Sequence, residues 1–123
     1  MTQLLCHLVG DYCLQSHVMA TRKTSSWKWA CIHAFFYTLP FAVVLTQSPW
    51  KLLVIGGTHA VIDRHRIALR WCKFYGVGHP GLWLKKGSYA RATFEAPPAY
   101  LSTWLVIIVD NTFHLIINAW ALS

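Results

Sequence analysis

Three pairs of residues in this chain join an imidazole to a carboxylate at one spacing: His7 with Asp11, His59 with Asp63, and Asp110 with His114. A four-residue step on an α-helix is about 400° of rotation and about 6 Å of rise, so both members of each pair share a face. His33 adds a further imidazole that stands alone. Imidazole nitrogen and carboxylate oxygen together suit divalent zinc, manganese or iron, and a set this large suits one ion or two bridged by carboxylates. The same pairs could instead hydrogen-bond helix to helix without an ion, and His33 could bond a backbone carbonyl. No Ser or Cys stands in a nucleophile arrangement. The chemistry to expect is therefore water activated by a metal, with Asp11, Asp63 and Asp110 as the candidates to move its proton.

Such residues need a frame, and the composition says which kind. Of 123 residues, 55% are hydrophobic and 12% charged, against roughly 25% charged in an average soluble domain. A chain this short and this apolar fits lipid as its solvent, and its seven Trp, five Tyr and six Phe suit helix ends anchored at headgroup level. Residues 27–46 form the clearest span, about twenty residues long, enough to cross roughly 30 Å of hydrocarbon. Residues 50–69 and 100–121 match it, with runs such as LLVIGG and LVIIV that are apolar on every side. Residues 2–20 make a fourth span, interrupted by His7, Asp11, Gln15 and His17. Pro40 is tolerable inside such a bundle. The expected fold is all-α: a single transmembrane domain over residues 1–123, an integral four-helix bundle.

Every Lys and Arg except Lys51 falls around the connection after the first span or the one after the third. By the positive-inside rule, those connections are cytoplasmic and both termini lie outside the cytoplasm, in a multi-pass membrane protein. The first span has no basic residue before Arg22 and is not expected to be a cleaved signal peptide. The net charge of +7 is explained by topology without a nucleic-acid partner, since no recognition pattern interleaves the basic residues. Residues 72–99, rich in Gly and Pro, form the long cytoplasmic-side loop on the membrane surface. Their Gly76-x-Gly78 lacks the lysine context and the preceding strand of a phosphate loop. Cys6, Cys13, Cys31 and Cys72 match no zinc or redox spacing and are expected to be reduced. His17, His65 and His79 are expected to be solvated, and Glu95 carries no role.

Ionisable groups inside hydrocarbon cost at least about 2.5–3.5 kcal/mol each on insertion scales, so they are functional candidates by default. With the directions of the spans included, Asp11, Asp63 and Asp110 form one layer nearer the cytoplasm, with His7, His59 and His114 one turn deeper. Gln15 follows Asp11 by one turn and Asn118 follows His114, placing both behind the ligands. Arg66 and Arg70 continue the His59/Asp63 face and are candidates to bind an anionic substrate, although basic residues at a cytoplasmic helix end are also ordinary topology signals.

HLVGDYCLQ at residues 7–15, the isolated His33, THAVID at 58–63 and DNTFH at 110–114 together resemble a family of small bacterial and phage membrane proteins, domain of unknown function 3307. The resemblance runs over essentially the whole chain. It implies that His7, Asp11, Gln15, His33, His59, Asp63, Asp110 and His114 occupy the family's motif positions. In its His/Asp pattern on membrane helices, the chain also resembles inner-membrane metal-dependent hydrolases related to zinc-dependent phospholipase C.

The leading expectation is a membrane-embedded metal-dependent hydrolase of a phosphate ester, either a lipid headgroup or a phosphorylated molecule from the cytoplasm. Its ligands would come from His7, Asp11, His33, His59, Asp63, Asp110 and His114, holding one or two ions, zinc first and manganese or iron after it. The alternatives are a proton or divalent-cation transporter working as a homo-oligomer, and a membrane interaction protein with a structural metal. The apolar stretches Phe41 to Leu45 and Leu52 to Ile55 weigh against a continuous polar path.

Overall fold

The computed structural model describes residues 1–77 and 98–123. The described residues form helices joined by short connections, with no strand among them. Gly78, His79, Lys85, Lys86, Arg91 and Glu95 of the expected loop lie outside the described residues. The chain divides into two units, residues 1–66 with 113–123, and residues 67–112.

In the first unit, α1 (Thr2–Leu8) runs into a π-helical turn (Val9–Cys13), and α2 (His17–Arg22) follows after a short irregular link. Residues 2–20, expected as one span, are thus three pieces. The Leu14 N–H donates to the Val9 carbonyl at 3.0 Å, five residues back, which widens the turn. Ser16 then restarts the helix: its side-chain oxygen accepts the Met19 N–H at 3.3 Å. A hydroxyl in that position satisfies one of the donors that a helix start leaves open.

Helices α3 (Trp27–Val44) and α4 (Pro49–His65) form an antiparallel hairpin, and α1, the π turn and α2 pack on α3. Pro49 opens α4 at its first turn, where a missing N–H costs nothing. A Cβ added at Gly10 would lie 2.7 Å from the Tyr37 carbonyl oxygen, so glycine is what lets this segment reach α3. Arg66 ends α4 in the left-handed region, φ 52° and ψ 47°, a conformation that costs a non-glycine residue about 1–2 kcal/mol. The expected span 50–69 is broken there, and α5 (Ile67–Tyr75) begins at the next residue.

An apolar cluster of Cys6, Tyr37, Phe41 and Ile55 sits at the heart of this unit, with Leu45, Leu52, Ala121 and Leu122 packed around it. The end of the last helix, α6 (Ala99–Leu122), is tied in by Gln3 Nε2 donating to the Leu115 carbonyl at 2.7 Å and Lys51 Nζ donating to the Leu122 carbonyl at 2.9 Å. His7, Asp11, His33, His59, Asp63, His114 and Asn118 are buried, whereas Leu5, Phe35, Val43, Val44, Leu53 and Ile116 face outward.

The second unit holds α5 and the first part of α6. Gly76, at φ 80°, ends α5, and the Val77 N–H returns to the Cys72 carbonyl at 2.9 Å. This is a Schellman-type helix stop, the ordinary task of a glycine one residue past a helix end. All four cysteines are free; Cys6 and Cys72 are buried and Cys13 and Cys31 exposed. Burial, and after it the Asp110 charge, pushes the Cys72 thiol above its usual range, so it remains protonated and inert.

Among the described residues, α6 is the one helix long and apolar enough to cross a membrane. Helices α3 and α4 have 18 and 17 residues, which is about 27 and 26 Å of rise against roughly 30 Å of hydrocarbon.

Candidate metal centre

Four side chains from three segments converge inside the first unit. The π turn carries Asp11, α3 carries His33, and α4 carries His59 and Asp63 one turn apart; each offers one donor atom, and the four atoms lie within 4.8 Å of one another. Antiparallel packing explains the meeting. His7 and Asp11 step along α1 and the π turn as Tyr37 and His33 step back along α3, so His7 faces Tyr37 and Asp11 faces His33.

The donor distances form a compact polyhedron. His33 Nε2 lies 3.1 Å from Asp11 Oδ1, 3.5 Å from Asp63 Oδ2 and 3.0 Å from His59 Nε2, while His59 Nε2 lies 3.2 Å from Asp63 Oδ2 and 3.8 Å from Asp11 Oδ1. Ligands held at 2.0–2.1 Å around a tetrahedral ion stand about 3.3 Å apart, and these edges scatter around that length. Hydrogen bonding alone serves the two rings poorly. Each Nε2 faces a carboxylate, which asks it to carry a proton, and also faces the other Nε2, which cannot then accept. A metal ion shared by the lone pairs of both rings removes the conflict; the Lys23 ammonium, 3.3 Å from His33 Nε2, reaches one of the two rings.

The rings are oriented by packing. Among the described residues His33 Nδ1 and His59 Nδ1 have no hydrogen-bond partner, and ring packing takes the place of the carbonyl or carboxylate that usually steers a ligating histidine. The Tyr37 ring stacks on His59 with centroids 3.7 Å apart and planes 16° apart, and His114 covers His59 at 4.1 Å. The Tyr37 hydroxyl accepts from Asn118 Nδ2 at 2.6 Å and shares a hydrogen bond with His7 Nδ1 at 2.8 Å. Tyr37→Phe keeps the stack and removes both hydrogen bonds. It should lower stability by about 1–3 kcal/mol in denaturant unfolding while leaving metal content unchanged, whereas Tyr37→Ala should lower both.

Lys23, just past the end of α2, completes the cluster. Its Nζ stands 2.9 Å from Asp63 Oδ2, 3.7 Å from Asp11 Oδ1 and 3.3 Å from His33 Nε2, and its side chain is 14% exposed. The backbone beside it is held by Arg64, whose Nη1 donates to the Thr24 carbonyl at 2.9 Å and whose guanidinium lies 5.7 Å from the Trp27 ring. Sequence reasoning took Lys23 and Arg64 as topology signals. Lys23 is twelve residues from Asp11 along a broken helix, and no periodicity links the two.

The other expected site residues are distributed as follows. His114 Nε2 is 3.9 Å from Asp63 Oδ1. His7 is buried one turn deeper, against Tyr37 and His114. Asn118 is buried and bonded to Tyr37. Gln15, half-buried, lies in the irregular link after the π turn, so a regular turn does not relate it to Asp11. Arg66 is the exposed left-handed residue after α4. Asp110 and Arg70 belong to the second unit, Asp110 on α6 one turn before His114 and Arg70 on α5. His17 and His65 are exposed.

The family model described as a protein of unknown function, DUF3307, matches residues 1–122. The chain belongs to this family. The match covers each element that builds the cluster, from α1 to the end of α6. No curated protein and no solved structure matches the chain.

Proposed function

We propose that this member of the family is an integral membrane protein of the bacterial inner membrane that holds a divalent transition metal at Asp11, His33, His59 and Asp63 and uses it to hydrolyse an anionic phosphate ester. The observation that carries this reading is the set of four donor atoms at ligand-to-ligand spacing, two imidazole nitrogens and two carboxylate oxygens. That donor set suits zinc, with manganese or iron as alternatives. A metal there supplies Lewis acidity and brings the pKa of water toward about 7. The chain's own carboxylates do the rest: Asp11 and Asp63 each keep a second oxygen that can take the proton, with His114 beside Asp63 Oδ1.

The membrane reading draws on which side chains the first unit leaves exposed and which polar ones it buries. Aliphatic and aromatic side chains turned outward around a buried set of His, Asp and Asn suit lipid outside and a polar site inside. On this reading the helices form a four-helix bundle, the shorter ones matched to the bilayer by local thinning and by flanking side chains that reach to the interface. The termini lie outside the cytoplasm, as the basic connections imply.

Transport is disfavoured by one feature. Next to His7 and Tyr37, the interior of the first unit holds Cys6, Phe41 and Ile55, with Leu45 and Leu52 packed around them, and these apolar side chains weigh against a continuous polar path. The test is a panel of lipid and nucleotide phosphoesters offered to metal-loaded protein in detergent. Turnover well above that of Asp11→Asn is expected. No turnover across the panel, together with metal-ion flux in liposomes, would replace the hydrolase with a transporter.

A further inference from the structure

We infer that α5 is an interfacial helix, lying in the headgroup layer of the bilayer and binding anionic phospholipid. The inference rests on the membrane reading above and is independent of the metal.

The helix is short and set apart at both ends. Arg66 breaks the chain in the left-handed region just before it, and Gly76 stops it at φ 80°. Its nine residues, Ile67–Tyr75, rise about 14 Å, less than half of the roughly 30 Å that a crossing needs. Its surface is divided lengthwise. Ala68 and Cys72, four residues apart, are buried, while Arg70, Trp71, Lys73, Phe74 and Tyr75 are exposed. At about 100° per residue, Phe74, Trp71 and Tyr75 fall in one arc and Arg70 and Lys73 in another, their centres about 120° apart. The aromatic arc is one patch: the Trp71 and Tyr75 rings stand 4.4 Å apart, and Phe74 meets Tyr75 edge-on at 5.1 Å.

Exposed rings along one edge and basic groups along the next are what a headgroup layer sorts on a helix lying in its plane. The rings reach the upper acyl chains, while the Trp indole N–H and the Tyr hydroxyl stay among polar headgroup atoms. Arg70 and Lys73 have aliphatic stems long enough to bring their charges to the phosphates. No acid stands in α5, so nothing within it offsets the attraction to a net-negative lipid. The same unit supplies a second mark of the interface. Tyr100 and Trp104, one turn apart near the start of α6, are exposed, on the helix long and apolar enough to cross; such side chains sit where a span enters the headgroups. An acidic protein partner would need an apolar patch of its own beside its charges, whereas a bilayer interface offers both in the order found here. Arg70 then serves a lipid phosphate, where its charge alone suggested a substrate.

Lipid brominated along its acyl chains is the probe, because bromine quenches the indoles it meets. The full chain is reconstituted into phosphatidylcholine vesicles containing brominated phosphatidylcholine or, at the same content, brominated phosphatidylglycerol. The Trp71 signal is the difference between wild type and Trp71→Phe, and the Trp104 signal that between wild type and Trp104→Phe. Both should be quenched, Trp71 more strongly by the anionic lipid. Arg70→Gln combined with Lys73→Gln should lower that preference by up to about fivefold for each charge removed, with the quenching of Trp104 by phosphatidylcholine unchanged. Raised salt should erode the preference in the wild type as well, since it screens exposed charges, and this decides the matter should the double variant fail to fold. Trp104 quenched with Trp71 untouched overturns the inference and leaves the membrane reading standing. Equal quenching of Trp71 by the two lipids overturns the binding of anionic phospholipid. Quenching of neither indole removes the membrane reading itself, and this inference falls with it.

Discussion

Purified His33→Ala should carry less than about one tenth of an equivalent of transition metal where the parent carries close to one, with helical content unchanged. His33 is the strongest single probe because its Nε2 measures 3.0–3.5 Å to each of the other three donor atoms. It is also neutral as a ligand, so its removal leaves no charge stranded. The rival account, a metal-free network of Lys23, Asp11 and Asp63, makes the opposite prediction at a different residue. There, Asp63→Asn would leave the Lys23 ammonium with Asp11 as its remaining carboxylate, at 3.7 Å, and lower stability, while metal content was negligible in every variant. Elemental analysis of parent, His33→Ala and Asp63→Asn, beside their unfolding curves, separates the two accounts.

Gly10→Val should be the most damaging substitution outside the donor set. The first atom of any side chain at this position meets the Tyr37 carbonyl oxygen at 2.7 Å and the Tyr37 Cα at 3.0 Å. Both are backbone atoms of α3, and neither can turn aside. Overpacking of this kind costs about 1–3 kcal/mol for small additions and more for a branched side chain. Moving the segment off α3 also draws Asp11 away from His33, so metal content should fall along with stability. Two other glycines calibrate the effect. A Cβ at Gly56 meets the Thr38 methyl at 2.8 Å, a side-chain contact that rotation can relieve, and a Cβ at Gly57 meets nothing within 4 Å. Gly57→Ala should be neutral or stabilising by up to about 1 kcal/mol, with Gly56→Ala between the two in chemical denaturation.

The helical class and the residues that meet in the cluster, Asp11, His33, His59 and Asp63, were legible because they depend largely on local rules. Apolar runs without a polar face marked α3, α4 and α6, and the four-residue spacing placed His59 with Asp63 on one face of α4, where they meet at 3.2 Å. The antiparallel step that sets His7 against Tyr37 and Asp11 against His33 needed both helices, so Tyr37 passed as an ordinary aromatic. Lys23 was hidden for a related reason: its position depends on the break at Leu14 to Ser16 and on the Arg64 bond to Thr24, neither of which has a periodic signature. Arg66 looked like a continuation of α4 because nothing in its side chain announces a left-handed backbone. A glycine there would have given the break away.

The π turn at Val9–Cys13 sets a phase. It is in effect an α-helix carrying one residue too many, closed by the bond from Leu14 to Val9. Deleting Val9, which faces outward and belongs to no cluster, would let the helix close with ordinary four-residue bonds. Everything before the gap would then turn by about 100° relative to Asp11. Asp11 would stay against His33 while His7 left its place over Tyr37. Each half would be well formed and only their register lost, so in this stretch the length of the chain carries information that its composition does not.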